Sequence, residues 1–386
     1  MIATGFRPLG DMLRHLCFLM IALVVSVSVL AQESAPNAAA LPAGARYVER
    51  EFRLPVPDSF PNGLDALEVY VDTPGKHPLA LLTHGTSDKP EERMQLTPWA
   101  QLPQALWFAR RGYVVLVIIR RGYGISGGKQ DSTFGGCRPG GSFQEAGQAA
   151  ADDLRAAVNY AEKQMPEADA SQVVSAGVST GGFTQVALAA KPPAGLKAAI
   201  SFAGGRGGDG KGHLCDESGV VSAFKSFGKH ARIPMLWIYA ENDKWFPPEY
   251  AKQFQAAYEG AGGTDEFVLA PPDGEDGHHL YTHVAAWSKT VDDFLGRHNL
   301  LPLAAPYPMP TPPQVTAPAG LSERGQEAFR NFLIYGPNKA FATNGQAVFG
   351  FSIGQFTQGL ADERAMQNCE HARHEGPPCA IVSRGK

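Results

Sequence analysis

The sequence predicts an α/β fold: a mostly parallel sheet with helices on both faces, followed by a small C-terminal α+β module. Three observations carry this prediction. Short β-branched runs alternate with stretches of helical periodicity across residues 45–300. One run, Tyr113-Val114-Val115-Leu116-Val117-Ile118-Ile119, is apolar throughout, as a central strand buried on both faces should be. A proline-rich stretch, residues 301–320, then separates this body from residues 321–386.

The first residues stand apart from the fold. Arg7 and Arg14 precede an apolar run from Leu16 to Leu30, and Val29-Leu30-Ala31 puts a small residue before Gln32. Residues 1–31 therefore read as a secretory signal peptide, since the run is short for a membrane span. The mature protein is expected to be secreted or periplasmic, with no membrane attachment after cleavage. Cys17 is lost with the leader, which leaves Cys137, Cys215, Cys369 and Cys379. An even count in an exported protein favours disulfides, and the sequence alone leaves three pairings open.

The body then unfolds in order. Strands are expected at Leu64–Val71, His77–Thr83, Tyr113–Ile119, Gln172–Gly177, Leu196–Phe202, Ile233–Tyr239 and Glu266–Leu269. Helices are expected at Trp99–Arg110, Phe143–Gln164, Phe183–Lys191, Pro247–Tyr258 and Leu280–Leu295. In the C-terminal module, Asn338–Ala342, Val348–Phe351 and Ala380–Val382 read as strands and Leu360–Arg373 as a helix. Ligands of such sheets bind beyond the carboxyl ends of the strands.

Composition excludes some functions. The net charge is −4 and no basic run stands out, so no nucleic-acid partner is expected. No C-x-x-C occurs, and His279 and His283, although four apart, have no evident third ligand, so no metal is expected.

Two stretches carry G-x-S-x-G. Gly124-Ile125-Ser126-Gly127-Gly128 also overlaps a G-x-G-x-x-G beginning at Gly122. A dinucleotide loop needs a following helix, but residues 129–141 are rich in glycine and proline, so no helix N-terminus awaits a pyrophosphate. The same gap counts against Ser126 as a nucleophile. Gly177-Val178-Ser179-Thr180-Gly181 has a strand before it and a helix after it, as a nucleophile elbow requires.

A serine hydroxyl needs a base, and the base needs an orienting carboxylate. Asp243 follows one predicted strand and His278 follows the next, so the order is Ser, Asp, His. Glu241 is the alternative acid and His279 the alternative base. Asp243 is preferred for its distance past the strand, and His278 because a glycine precedes it.

These stretches resemble the α/β-hydrolase superfamily, most closely its dienelactone-hydrolase-like branch and related exported serine esterases. The resemblance spans about residues 47–299 and rests on Leu81-Leu82-Thr83-His84-Gly85-Thr86, Arg120-Arg121-Gly122-Tyr123-Gly124-Ile125-Ser126-Gly127, the elbow at Ser179, Glu241-Asn242-Asp243 and Gly277-His278. It implies oxyanion-hole amides from Thr86 and Thr180, each worth roughly 10²–10³ in rate. It also makes the Arg120–Gly127 stretch a structural loop beside the site. His84, Tyr123, Trp245 and Phe246 are candidate pocket residues. Many relatives carry an aspartate where Ile119 stands, and its absence counts against the branches that cleave acyl-proline peptides or bulky acyl groups; dienelactone hydrolases proper use cysteine where Ser179 stands, so their substrate does not carry over.

Both loops bearing Cys137 and Cys215 fall on the active-site side, which predicts that they pair. Cys369 and Cys379 would then close a short loop in the C-terminal module, which resembles small cysteine-containing modules of exported bacterial proteins. The expectation is an exported serine hydrolase acting on a small-molecule or polymer ester without a cofactor. A serine peptidase or a binding protein on the same scaffold is the alternative, and the C-terminal module is a candidate polymer binder.

Overall fold

Among the described residues, eight strands form the main sheet: β1 (Tyr47–Leu54), β2 (Leu64–Val71), β3 (His77–Thr83), β4 (Val114–Ile119), β5 (Ala168–Val178), β6 (Leu196–Phe202), β7 (Met235–Ala240) and β8 (Glu266–Ala270). A computed structural model of the chain describes residues 40–130, 137 and 141–385. The expected leader, residues 1–31 with Cys17, lies outside the described residues.

The strand order is β1-β2-β4-β3-β5-β6-β7-β8. β1 and β2 pair antiparallel, as do β2 and β4, and every later neighbour is parallel. The seven strands read from the sequence are present within a few residues of their expected limits. β4 is buried along its whole length, as its apolar run requires.

Helices cover both faces. On one lie α3 (Phe143–Gln164), α4 (Thr180–Ala190), α5 (Glu217–Gly228) and α6 (Pro248–Glu259); on the other lie α2 (Leu102–Ala109) and α7 (Val284–Arg297). A single-turn helix, α1 (Pro90–Arg93), precedes α2. Strand alternation splits the core accordingly: Leu79 and Leu81 of β3 join the first layer, Ala80 and Leu82 the second. Two expected helices are divided. Pro103 lacks the N–H of a helix interior, so α2 opens at Leu102 and Pro98–Gln101 is a 3₁₀ turn. Residues 277–282 likewise form a 3₁₀ turn before α7.

The chain runs from β3 outward to β4 and then crosses back to β5, so β3 and β5 are neighbours at the point where strand order reverses. Such a switch point opens a crevice at the carboxyl ends. Thr83 of β3 pairs in register with Gly177 of β5, two residues before Ser179.

Beyond residue 300, the proline-rich stretch lies along the body: Tyr47 Oη donates to the Pro308 carbonyl, and Arg110 Nε to that of Tyr307. The C-terminal segment holds α8 (Glu323–Ile334), α9 (Gln358–Ala372) and a three-stranded antiparallel sheet in the order β10-β9-β11, from β9 (Lys339–Thr343), β10 (Phe349–Ser352) and β11 (Ala380–Gly385). Disulfides join Cys137 to Cys215 and Cys369 to Cys379, the pairing expected from the sequence. No described helix is long and apolar enough to cross a membrane.

Candidate active site

Ser179 sits between β5 and α4 with φ 58° and ψ −121°, a backbone region that costs a non-glycine residue of order 1–3 kcal/mol. The turn leaves no room inside it. A Cβ on Gly177 would come within 2.5 Å of the Gly181 carbonyl oxygen, so the first glycine of the pentapeptide is sterically required. Neighbouring backbone holds the strain: the Ser179 N–H donates to the Phe202 carbonyl at 2.8 Å, and Gly205 N donates to the Ser179 carbonyl. Ser179 is 8% exposed, enough to present its hydroxyl to a small cleft.

Asp243 and His278 meet in the loops after β7 and β8. His278 Nδ1 lies 3.0 and 3.1 Å from the two Asp243 carboxylate oxygens. Asp243 Oδ1 also accepts the Trp245 and Phe246 amides at 2.8 and 2.9 Å, which fixes the orientation of the carboxylate. The structure sets Asp243 against the imidazole, while Glu241 and His279 are exposed.

Asp276, which the sequence reading passed over, couples the two loops. Its Oδ1 accepts from His278 N and from Lys244 N, both at 3.0 Å. Asn242 adds a second tie: its side chain accepts from Asp273 N at 2.9 Å and donates to the Gly274 carbonyl. An Asp two residues before a histidine is a readable turn signal, but its cross-loop bond is not readable from spacing.

Thr86 and Thr180 are brought together. Their hydroxyls are 2.8 Å apart, and Thr86 Oγ1 is also 2.8 Å from Tyr123 Oη. Thr180 is the first residue of α4, so its N–H has no partner within the helix and stands at the positive end of the helix dipole. Behind these threonines lies Arg120, wholly buried, which bonds to both.

A cavity of about 20 Å³ is lined by Thr86, Asp88, Ser179, Thr180, Arg206, Gly207, Gly208, Trp245 and Phe246. The space beside Ser179 is narrow, and Arg206 to Gly208 of the loop after β6 form part of its lining. Trp245 and Phe246 line this cavity and also flank the His278 ring, with centroids 5.4 and 5.5 Å away. His84 and Tyr123 are buried deeper, their rings in edge contact, and do not line it.

Ser126 has structural work instead. Its hydroxyl donates to the Ile119 carbonyl at 2.7 Å and accepts from Asp65 N at 2.8 Å, pinning the end of β4 to the start of β2. Gly122, at φ +74°, has the Gln130 backbone where a side chain would stand. Its loop folds back on itself, the Gly122 N–H donating to the Gly127 carbonyl, and residues 131–136 and 138–140, on which the sequence argument against a following helix partly rests, lie outside the described residues. Among the described residues, no group of three His, Cys, Asp or Glu converges as a metal site would require.

Residues 63–228, less than half of the chain, match the family model of X-Pro dipeptidyl-peptidase (S15 family). No curated protein matches the chain. Among solved structures, the chain is similar to the Pyrococcus furiosus esterase Pf2001 at 15% identity and a TM-score of 0.45, over 65% of this chain and 92% of that one. A Klebsiella pneumoniae protein assigned as a dienelactone hydrolase gives 17%, 0.44, 66% and 98%. The acylaminoacyl peptidase of Pyrococcus horikoshii gives 16%, 0.48, 65% and 41%. The sheet order, the switch point and the strained serine turn are those of an α/β-hydrolase fold, and these features of the chain itself carry that assignment.

Proposed function

We propose that this chain is an exported serine hydrolase that cleaves carboxylic esters through an acyl-enzyme. One observation carries the reading: a serine in a strained strand-to-helix turn at the switch point, sharing Trp245 and Phe246 with a buried Asp–His pair. Strain of this kind is retained where the surrounding structure over-determines it, and active sites are the usual place.

In this reading Ser179 Oγ adds to the ester carbonyl carbon while its proton passes to His278 Nε2. The carbonyl π electrons move to oxygen, which the Thr86 and Thr180 amides stabilise. Collapse breaks the bond to the leaving alcohol, which takes the proton from His278. Water repeats the sequence on the acyl-enzyme and releases the acid. Asp243 keeps Nδ1 protonated and steadies the imidazolium. The narrow cavity favours a short acyl group. Two disulfides and the basic, then apolar leader support export.

The test is hydrolysis of p-nitrophenyl esters of graded acyl length by wild type and Ser179→Ala. Acetyl or propionyl esters should be turned over fastest, and the variant should fall to background. Full activity in the variant would remove Ser179 from the mechanism. A second reading, peptidase action, is favoured by the S15 match over residues 63–228. X-Pro p-nitroanilides, assayed beside the esters, decide between the two.

A further inference from the structure

Two adjacent arginines at the end of β4 have opposite surroundings. Arg121 is ion-paired, at 2.6 Å to Asp153 and 2.8 Å to Asp58. Arg120 is wholly buried and forms no ion pair with any described residue; the buried Asp153 carboxylate, paired with Arg121, acts on it only through space. Its Nη1 donates to Thr83 Oγ1 at 3.0 Å and to the His84 carbonyl at 2.5 Å. Its Nη2 donates to Thr180 Oγ1 at 3.1 Å and, more weakly, to Thr86 Oγ1 at 3.4 Å. The Tyr123 ring faces the guanidinium at 5.2 Å, and Nε has no hydrogen-bond partner among the described residues.

His84 does not add to this charge. The Arg120 backbone N–H donates to His84 Nε2 at 3.0 Å, so that nitrogen is an acceptor. Nδ1 lies 2.6 Å from the Gly85 carbonyl oxygen and carries the proton. The imidazole is therefore neutral, and the guanidinium is the cation at this spot.

A buried charge without a counter-ion is costly unless something answers it. Here every acceptor is neutral, and two of them are the threonines proposed to supply the oxyanion amides. We propose that Arg120 is a positioning residue for the oxyanion hole. It clamps the turn after β3 to the start of α4 and sets a positive charge, in contact with no carboxylate of the described residues, behind the point where the carbonyl oxygen becomes negative. The charge is poorly matched in the resting protein and well matched in the tetrahedral intermediate, so it favours the transition state over the ground state. Arg120 touches neither substrate nor the reacting atoms; it acts through Thr86 and Thr180. This inference rests on the Ser179 reading above.

The experiment uses the full chain with wild type, Arg120→Met, Arg120→Lys and Ser179→Ala. Three quantities are read: kcat and KM for p-nitrophenyl acetate, and Ki for an aryl trifluoromethyl ketone. Ser179 Oγ would add to that ketone, its proton passing to His278 and the carbonyl electrons to oxygen, so the adduct carries the oxyanion. Arg120→Met should lose roughly 10- to 100-fold in kcat with KM within about threefold, and ketone affinity should fall by a similar factor. Arg120→Lys, which restores charge without the fork, should recover part of both.

A folded Arg120→Met with kcat within about twofold of wild type overturns the inference. So does a loss of kcat without matching loss of ketone affinity. If Arg120→Met does not fold, Thr180→Val keeps the backbone amide and removes the hydroxyl's links to Arg120 and to Thr86. It should then lose roughly 3- to 10-fold in kcat and in ketone affinity together, and no change in either refutes the clamp. Full activity in Ser179→Ala defeats the nucleophile assignment instead, whereas an inactive Ser179→Ala beside a fully active Arg120→Met defeats this inference alone.

Discussion

Asp276 offers a way to disturb the proposed chemistry without touching a reacting group. Its Oδ1 accepts the amides of His278 and Lys244, both at 3.0 Å, and so ties the loop after β8 to the loop after β7. Asp276→Ala removes both bonds. Hydrogen bonds to a charged acceptor are worth about 1.5–3 kcal/mol each when shielded, but this carboxylate is half-exposed, so about 1 kcal/mol each is the better figure. The loss of about 2 kcal/mol falls on the segment that positions His278 against Asp243.

The consequence for rate should exceed that for stability. The His278–Asp243 bonds at 3.0 and 3.1 Å survive only if both loops keep their register, and a displacement of about 1 Å at a catalytic group costs on the order of 10²-fold. Asp276→Ala should therefore lower kcat for p-nitrophenyl acetate roughly 10- to 100-fold, with KM little changed and the melting temperature down by a few degrees. Asp276→Asn keeps an acceptor oxygen and should retain most of the activity. Steady-state kinetics and thermal denaturation read both quantities. A kcat for Asp276→Ala within twofold of wild type would show that the remaining Asn242 ties hold the loops by themselves, and the reasoning would fail.

Two further outcomes follow from features outside the site. Burial pushes the Glu68 carboxyl up to about 8 and that of Asp65 up to about 7, with Glu167 and Glu51 acting in the same direction. A raised carboxyl pKa stabilises the fold fully below the ordinary carboxylate range, and that contribution is lost as pH rises through 7 to 8. The melting temperature should thus fall between pH 6 and pH 9, and fall less in Glu68→Gln; equal falls would contradict this. Cys137 and Cys215 are 78 residues apart, a closure worth about 4.5 kcal/mol in the chain-entropy model. Gly207, which lines the cavity, lies against both sulfurs, so Cys137→Ser with Cys215→Ser should lower both the melting temperature and kcat/KM, and an unchanged kcat/KM would separate the bridge from the site.

Much of the fold was legible because parallel strands buried on both faces leave continuous apolar runs, as β4 and β7 do. β1 was not. Its sequence, YVEREFRL, belongs to an edge strand with charged residues facing solvent, and nothing in it alternates cleanly. α5 was readable in principle: Val220, Ala223, Phe224 and Phe227 fall at helical spacing, but the glycines from Gly204 to Gly212 and Gly219 hid it. α4 starts at Thr180 rather than Phe183. Thr180-Gly181-Gly182 has poor helix propensity, and the strained turn and buried packing override it. Arg120 and Arg121 are equivalent on paper. Only the fold turns one toward carboxylates and the other toward threonines, so the buried charge behind Thr86 and Thr180 left no trace in spacing.

The C-terminal segment bears on the same end of the sheet. A Cβ on Gly354 would meet Trp99 backbone at 2.4 Å, and Gly336 packs as closely on the Trp99 ring, so the segment sits directly on the stretch that follows Thr86. From there α9 reaches both sides of the site: Arg364 contacts Gln95 at 3.5 Å, and His371 pairs with Glu275 at 3.1 Å, three residues before His278. The two side chains are two turns apart, about 10 Å along one helix. The His371–Glu275 pair is exposed and the Arg364–Gln95 contact is long and only part-buried, so each is weak alone. What gives them weight is that the segment's own cores are small, built around Phe329, Phe332 and Phe341 and around Cys369 and Cys379, so its order draws on the body it packs against. The segment therefore lies against the loops that carry the proposed oxyanion donor and base rather than apart from them.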